Sequence, residues 1–249
     1  MRIDIYSIMR NEEVILPYFL RHYETFSWRI FVFEDQSTDS TREILRNHSR
    51  VIVLDVEQHG INEAYWTNHL WTQYEQRSRG LADYVICVDA DEFVYHPDLI
   101  ELLKHEKESG TQVIHCEGYT MVSNGLPTTT GQIYEEIDRG IPDRLSSKWA
   151  IFSPKIHYRF RKGRHGGPRE ISDGAVMKAH SGIKMLHYRY LGSDYFESRD
   201  VKNVESFNTA EGTRKQYSPS MRRTQPDRSR GIGLEWYEKH KSEAVKVVG

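Results

Sequence analysis

The stretch Ile30-Phe31-Val32-Phe33-Glu34-Asp35-Gln36-Ser37-Thr38-Asp39-Ser40-Thr41 decides the fold. Its first four residues are continuously apolar, as in a short strand covered on both faces. The run stops on two carboxylates, and Gln36 to Asp39 is loop chemistry. Ser40-Thr41-Arg42-Glu43 then predicts a capping box opening a helix that carries Ile44 and Leu45. A buried strand, a polar loop and a helix in that order form half of a βαβ unit.

Working outward, Arg2 to Met9 alternates as a half-buried strand does, and Arg10-Asn11-Glu12 ends it. Val14, Ile15, Tyr18, Phe19, His22 and Tyr23 recur at helical spacing. Downstream, Val51 to Leu54 reads as a strand, and Asn62 to Gln76 as a helix with Tyr65, His69, Leu70 and Trp71 on its inner stripe. Tyr84 to Val88 is the next strand and runs directly into Asp89. The alternation predicts an α/β fold with a Rossmann-like, mainly parallel sheet and helices on both faces. Ligands of such sheets bind beyond the carboxyl ends of the strands. Asn11-Glu12, Glu34-Asp35 and Asp89 to Glu92 each follow a strand, so they are expected on one sheet edge.

A helix is expected from Pro97 to Glu108 and a strand from Gln112 to Tyr119. Beyond Asn124 the βα rhythm is lost. Gly125 to Gly131 reads as loop, Trp149 to Phe152 and Met185 to Tyr188 as short strands, and Ser218 to Gly231 as the mobile segment. We expect one domain over 1–249, with a regular βα part in 1–120 and a less regular part and tail in 121–249.

The 38% apolar and 28% charged content is that of a soluble globular protein. Charges in Met1-Arg2-Ile3-Asp4-Ile5 sit where a signal peptide needs an apolar core, which points to the cytoplasm. No apolar run approaches the roughly 20 residues that span a bilayer, leaving only peripheral membrane contact. Cys87 and Cys116 lie in apolar runs and read as reduced core thiols. The formal charge of −2 is uneven: residues 1–143 carry 12 basic against 25 acidic residues, and residues 144–230 carry 19 against 8. A carboxylate-rich part able to hold a cation and a basic part facing an anion are expected, or else a solvated basic face.

Asp89-Ala90-Asp91-Glu92 packs three carboxylates into four residues, which repel one another unless a cation neutralises them. Hard oxygen donors suit Mg²⁺ or Mn²⁺ shared with a diphosphate. If strand geometry persists, Asp89 and Asp91 point to one side and Glu92 to the other. A calcium loop needs Gly where Val94 stands. A solvated acidic turn is the plain alternative.

Together, Asn11-Glu12, the helix ending His22-Tyr23, Phe31 to Thr41 and Val88-Asp89-Ala90-Asp91-Glu92-Phe93 resemble the family 2-like glycosyltransferases of the GT-A fold, whose Asp-x-Asp motif the last run matches. Ser147 to Pro154, Gly163-Arg164-His165 and Leu186 to Leu191 are similar to later signatures of a bacterial branch, so the resemblance extends to about residue 200. It implies a nucleotide-sugar donor, most simply UDP-linked. Asp35 would contact the base, with Asn11 and Glu12 lining the same pocket. Asp89 would lie near ribose and metal, Lys148 would belong to the donor site, and Asp91 would ligate a metal bridging the diphosphate. His187 stands in the context of a downstream His that completes the metal site, and is otherwise a half-buried strand residue.

Glycosyl transfer needs the leaving diphosphate's charge neutralised and the acceptor hydroxyl deprotonated. In an inverting enzyme the base lies across the sugar from the leaving group, so it comes from another segment than Asp91. His165, Glu170 and Asp173 are the candidates, with Glu117 and Asp143 also open. Arg159, Arg161, Lys162, Arg164 and Arg169, interleaved with Tyr158 and Phe160, suit an anionic glycan, a lipid-linked sugar or nucleic acid. Arg222-Arg223 and Arg228 to Arg230 either fold over the donor or form a solvated tail. A nucleotidyltransferase uses similar carboxylates and metal, and a non-catalytic nucleic-acid-binding module would use the basic part alone. A dehydrogenase is disfavoured, since no Gly-x-Gly-x-x-Gly follows the first strand.

Overall fold

Strand formation follows the apolar runs. In the computed structural model, which describes residues 1–56, 65–66, 71–161, 164, 166–179, 181–192, 194–196 and 237–249, β1 spans Ile3–Met9. Helix α1 spans Leu16–Tyr23, with Pro17 in its first turn, where a missing N–H costs nothing. β2 (Arg29–Glu34) is followed by α2 (Thr41–Arg46) and β3 (Val51–Asp55). Strands β1, β2 and β3 pair in parallel, with Met9 opposite Glu34 and Glu34 opposite Asp55. The expected capping box is not formed: Ser40 makes no side-chain cap bond. Instead Asp39 Oδ1 accepts the Thr41 N–H at 3.0 Å, while the Ser40 N–H goes to Glu13 Oε2 at 3.0 Å.

Of the helix expected from Asn62 to Gln76, residues 62–64 and 67–70, with His69 and Leu70, lie outside the described residues. Within the described part, α3 is Tyr74–Arg77. β4 (Tyr84–Cys87) pairs in parallel with β1, and β5 (Glu92–Tyr95) follows a two-residue turn. Next come α4 (Leu99–Glu108), β6 (Val113–Ser123), α5 (Ile133–Glu136), β7 (Arg139–Pro142) and β8 (Lys148–Phe152). Three two-residue strands, β9 (Tyr158–Arg159), β10 (Glu170–Ile171) and β11 (Met177–Lys178), precede β12 (Lys184–Leu191). A 3₁₀ turn at Lys241–Glu243 and β13 (Val245–Lys246) close the chain.

The described residues fall into two units. The first draws on the described residues of Met1–Gln58, Glu63–Tyr119 and Asp143–His187, and the second on those of Thr120–Pro142 and Tyr188–Gly249. In the first, the sheet order is β6-β8-β4-β1-β2-β3, with β8 antiparallel to both β4 and β6, and β12 antiparallel to β5. Its core sets Tyr6, Phe31, Phe33, Trp71, Tyr74, Phe152, Tyr158 and Phe160 against one another, with Phe152 and Tyr158 stacked at 4.5 Å. Rings of this size dominate burial energetics. In the second unit β13 pairs with β7, and Tyr190 stacks between Phe196 at 4.8 Å and Tyr237 at 4.6 Å.

Cys87 and Cys116 are buried free thiols, and burial pushes both thiols well above their ordinary range. Among the described residues no helix is long and apolar enough to cross a membrane. The segment 218–231, with Arg222, Arg223 and Arg228 to Arg230, lies outside the described residues.

Candidate active site

Because β4, β1 and β2 run parallel as neighbours, their carboxyl ends share one sheet edge. The three polar clusters sit there. Asn11 adopts a left-handed backbone (φ 56°), which Asn tolerates better than most residues. Its Oδ1 accepts the Thr38 N–H at 2.7 Å, and its own N–H donates to Ser37 Oγ at 3.0 Å. The Glu12 N–H reaches Thr41 Oγ1 at 2.7 Å. The loops after β1 and β2 are thereby laced together, and the buried Asp35, whose N–H donates to Met9 O at 2.9 Å, is fixed beside them. The neighbouring Glu34 serves the loop itself: Oε1 accepts the Ser37 N–H at 2.5 Å and Oε2 meets Arg42 Nε at 3.4 Å.

At the end of β4 the strand geometry does not persist, and the expected division of carboxylates changes with it. Ala90 and Asp91 form a turn closed by Glu92 N–H to Asp89 O at 3.1 Å, and the Asp89 N–H donates to Glu92 Oε2 at 3.0 Å. Asp89 and Glu92 therefore face the same two cations. Lys148 Nζ bonds to Glu92 and lies 3.7 Å from Asp89. Arg164 bonds to Asp89, donates to Glu92 Oε2 at 3.0 Å and to Cys87 O at 2.8 Å, and lies over the Trp71 ring at 4.9 Å. Arg164 holds φ at 56°, a strained conformation for a long side chain. Burial alone would raise the Glu92 pKa, but the charges of Arg164 and Lys148 outweigh it and bring it down to about 2.

Asp91, also buried, pairs elsewhere. The β12–β5 register sets His187 opposite Glu92, so that His187 Nε2 comes within 3.2 Å of Asp91 Oδ2. The other ring nitrogen, Nδ1, lies 3.0 Å from Ser146 Oγ, which donates to Asp143 Oδ2 at 2.6 Å. Among the described residues no group of three His, Cys, Asp or Glu side chains forms a ready metal cage. Asp91 and His187 supply one carboxylate and one imidazole, a donor pair that would suit a hard or borderline divalent cation taking its remaining ligands from outside the chain.

The basic segment is largely engaged within the chain. Arg159 bonds to Glu75 at 3.1 Å, Arg161 Nε donates to Pro168 O at 3.3 Å, and Arg169 pairs with Glu170 at 3.3 Å. Lys162 lies outside the described residues. Of the three candidate bases, Glu170 is exposed and pairs with Arg169 and His157, and Asp173 sits in an exposed turn after β10. His165 lies outside the described residues. The sequence reading placed Arg164 in the anion-binding stripe and did not single out Ser146. No local sequence signal marked Arg164 as pointing inward, and its left-handed backbone (φ 56°) is a finding of the structure.

A mainly parallel sheet that gathers Asn11, Asp35, Asp89 and Asp91 at its carboxyl edge is the architecture of a glycosyltransferase of the GT-A type. The chain belongs to glycosyl transferase family 2, whose pattern matches residues 5–165. Among solved structures it is similar to residues 1–349 of S. aureus TarS, with 13% identity and a TM-score of 0.46 over 85% of this chain and 66% of that one. The same fragment in complex with UDP gives 13% identity, a TM-score of 0.49 and coverage of 85% and 67%. In complex with UDP-GlcNAc it gives 13%, 0.48, and 85% and 68%. The chain spans 66% of the first of these fragments and 40% of a longer TarS chain. No curated protein matches it.

Proposed function

We propose that the protein transfers a sugar from a nucleoside-diphosphate donor, UDP-linked, to a hydroxyl on a glycan or glycolipid, with inversion and with Mn²⁺ or Mg²⁺. The observation that carries this reading is the approach of His187 Nε2 to Asp91 Oδ2 at 3.2 Å, beside Asp89 and on the edge that holds Asp35. Asp35, held in the laced loops with Asn11 and Glu12, is the group for the nucleobase. Asp89, 47% exposed at its side chain, is the group for the ribose. Lys148 and Arg164 hold Asp89 in place and offset the charge of the carboxylate cluster, so that an anionic donor is not repelled.

Asp91 and His187 are the residues that would hold the cation. When bound, it neutralises charge on the departing diphosphate. The acceptor oxygen bonds to the anomeric carbon as the bond from that carbon to the diphosphate oxygen breaks, and the hydroxyl proton passes to a base of the 165–173 segment. His165, Glu170 and Asp173 are its candidates, separable by the pH profiles of their single variants.

Release of free nucleoside diphosphate, not pyrophosphate, distinguishes this reaction from nucleotidyl transfer. Asp91→Ala and EDTA are each expected to weaken UDP-sugar binding at least 10-fold in calorimetry. Binding and donor hydrolysis that survive both unaltered would remove the metal from the proposal.

A further inference from the structure

The geometry points to Ser146 and Asp143 as positioning residues that fix the tautomer of His187 and so make its Nε2 a cation ligand. This inference rests on the metal reading of Asp91 and His187 given above. Asp143 Oδ2 accepts the Ser146 hydroxyl at 2.6 Å, and Asp143 Oδ1 accepts the Leu145 N–H at 2.8 Å. A serine hydroxyl has one proton, and here it is given to Asp143. Toward His187 Nδ1, 3.0 Å away, the Ser146 oxygen is therefore an acceptor, and the imidazole carries its proton on Nδ1. In a neutral ring the Nε2 lone pair then faces a carboxylate oxygen of Asp91 at 3.2 Å. Two lone pairs at that distance are reconciled by a metal cation or by a second proton on the ring, and only the metal needs Nε2 free of hydrogen. With the opposite tautomer, Nε2–H would donate to Asp91, and the pair would satisfy itself and compete with a metal.

The turn that presents Ser146 is built to stay in place. The Asp143 N–H donates to Gly118 O at 2.8 Å, the Gly118 N–H to Ser147 Oγ at 2.9 Å, and the Ser146 N–H to Asp143 O at 3.1 Å. A Cβ at position 118 would lie 2.2 Å from both Ser146 C and Ser147 N, so only glycine lets the turn sit this close to β6. Ser146 itself is 2% exposed, which keeps water from replacing its bond to the imidazole. Outer partners of metal-bound histidines act in this way, setting ring orientation and ligand basicity.

The test is Mn²⁺ titration of the full chain at saturating UDP, followed by the electron paramagnetic resonance of free Mn²⁺, on wild type, Ser146→Ala, Ser146→Thr and Asp91→Ala. Ser146→Ala is expected to weaken Mn²⁺ binding about 10- to 100-fold, with Ser146→Thr close to wild type. Equal affinity of Ser146→Ala and wild type overturns the inference while leaving the metal site standing. A wild type that takes up no Mn²⁺, like Asp91→Ala, overturns the site reading itself, and with it this inference. Should the Ala variant not fold, the ¹⁵N shifts of the His187 ring in metal-free wild type at alkaline pH decide the matter. A proton on Nδ1 supports the assignment, and a proton on Nε2 refutes it.

Discussion

Glu92 shows how a single residue couples the site to stability. It is a fully buried carboxylate whose pKa is lowered from 4.5 to about 2, burial being outweighed by Arg164 and Lys148. Between those two values the unfolded chain binds a proton that the folded chain does not, so stability rises with pH across that window. The contribution is complete above pH 4.5 and is lost as the pH falls toward 2. Glu92→Gln is expected to flatten this acid limb in urea unfolding measured over a pH series. At neutral pH the same change leaves two buried cations short of a partner and costs about 3–5 kcal/mol. From the sequence, strand alternation set Glu92 on the side away from Asp89 and Asp91, with no partner named for it. Its partner Arg164 is 72 residues away, and no local pattern encodes a contact over that separation.

At the scale of elements, two loops decide where side chains arrive. The helix after β2 starts where the sequence predicts, but Asp39 rather than Ser40 accepts the Thr41 N–H of its first turn, and the Ser40 N–H is held by Glu13 across the loop. Asp39→Ala is accordingly expected to cost about 1 kcal/mol in denaturant unfolding. Ser40→Ala should stay within about 0.5 kcal/mol. Gly118 is the second case. The backbone atoms facing it at 2.2 Å have no free rotation to yield, so Gly118→Ala must part the 143–147 turn from β6. Urea unfolding should show a loss of about 1–3 kcal/mol, with weakened Mn²⁺ uptake because Ser146 moves from His187. The sequence predicts both elements flanking this contact. It does not predict the contact, because nothing in the vicinity of Gly118 marks it as a close approach.

Across the whole molecule, the acidic first part and basic later part acquire a meaning that composition alone did not supply. In the first unit the two are joined by ion pairs: Glu75 with Arg159, Asp89 and Glu92 with Lys148 and Arg164, and Glu106 with Lys178. The segment from 148 to 178 is thus drawn onto the parallel sheet by charge as well as by its aromatic core. The half-exposed Lys178 and Arg159 pairs are screened by salt and the buried ones much less. Part of the basic charge of this segment is thus neutralised within the first unit. UDP with Mn²⁺ at about 100 times its dissociation constant is expected to add about 2.7 kcal/mol to unfolding. A melting-temperature series would show this gain in wild type and about 1.4 kcal/mol or less at the same concentration in Asp91→Ala.

The sequence by itself determined the parallel strands β1, β2 and β4, their shared carboxyl edge, and the presence there of Asn11, Asp35, Asp89 and Asp91. These follow from local apolar runs and the polar residues that end them, which are physical preferences acting over a few neighbours. Only the tertiary structure decided that Asp91 faces His187, that Glu92 lies between Lys148 and Arg164, and that Ser146 stands behind the imidazole. Those pairings depend on the register of β12 against β5, on a left-handed residue at 164 and on a turn that fits over a glycine. Each is fixed by packing between segments far apart in the chain, where no short-range periodicity reaches.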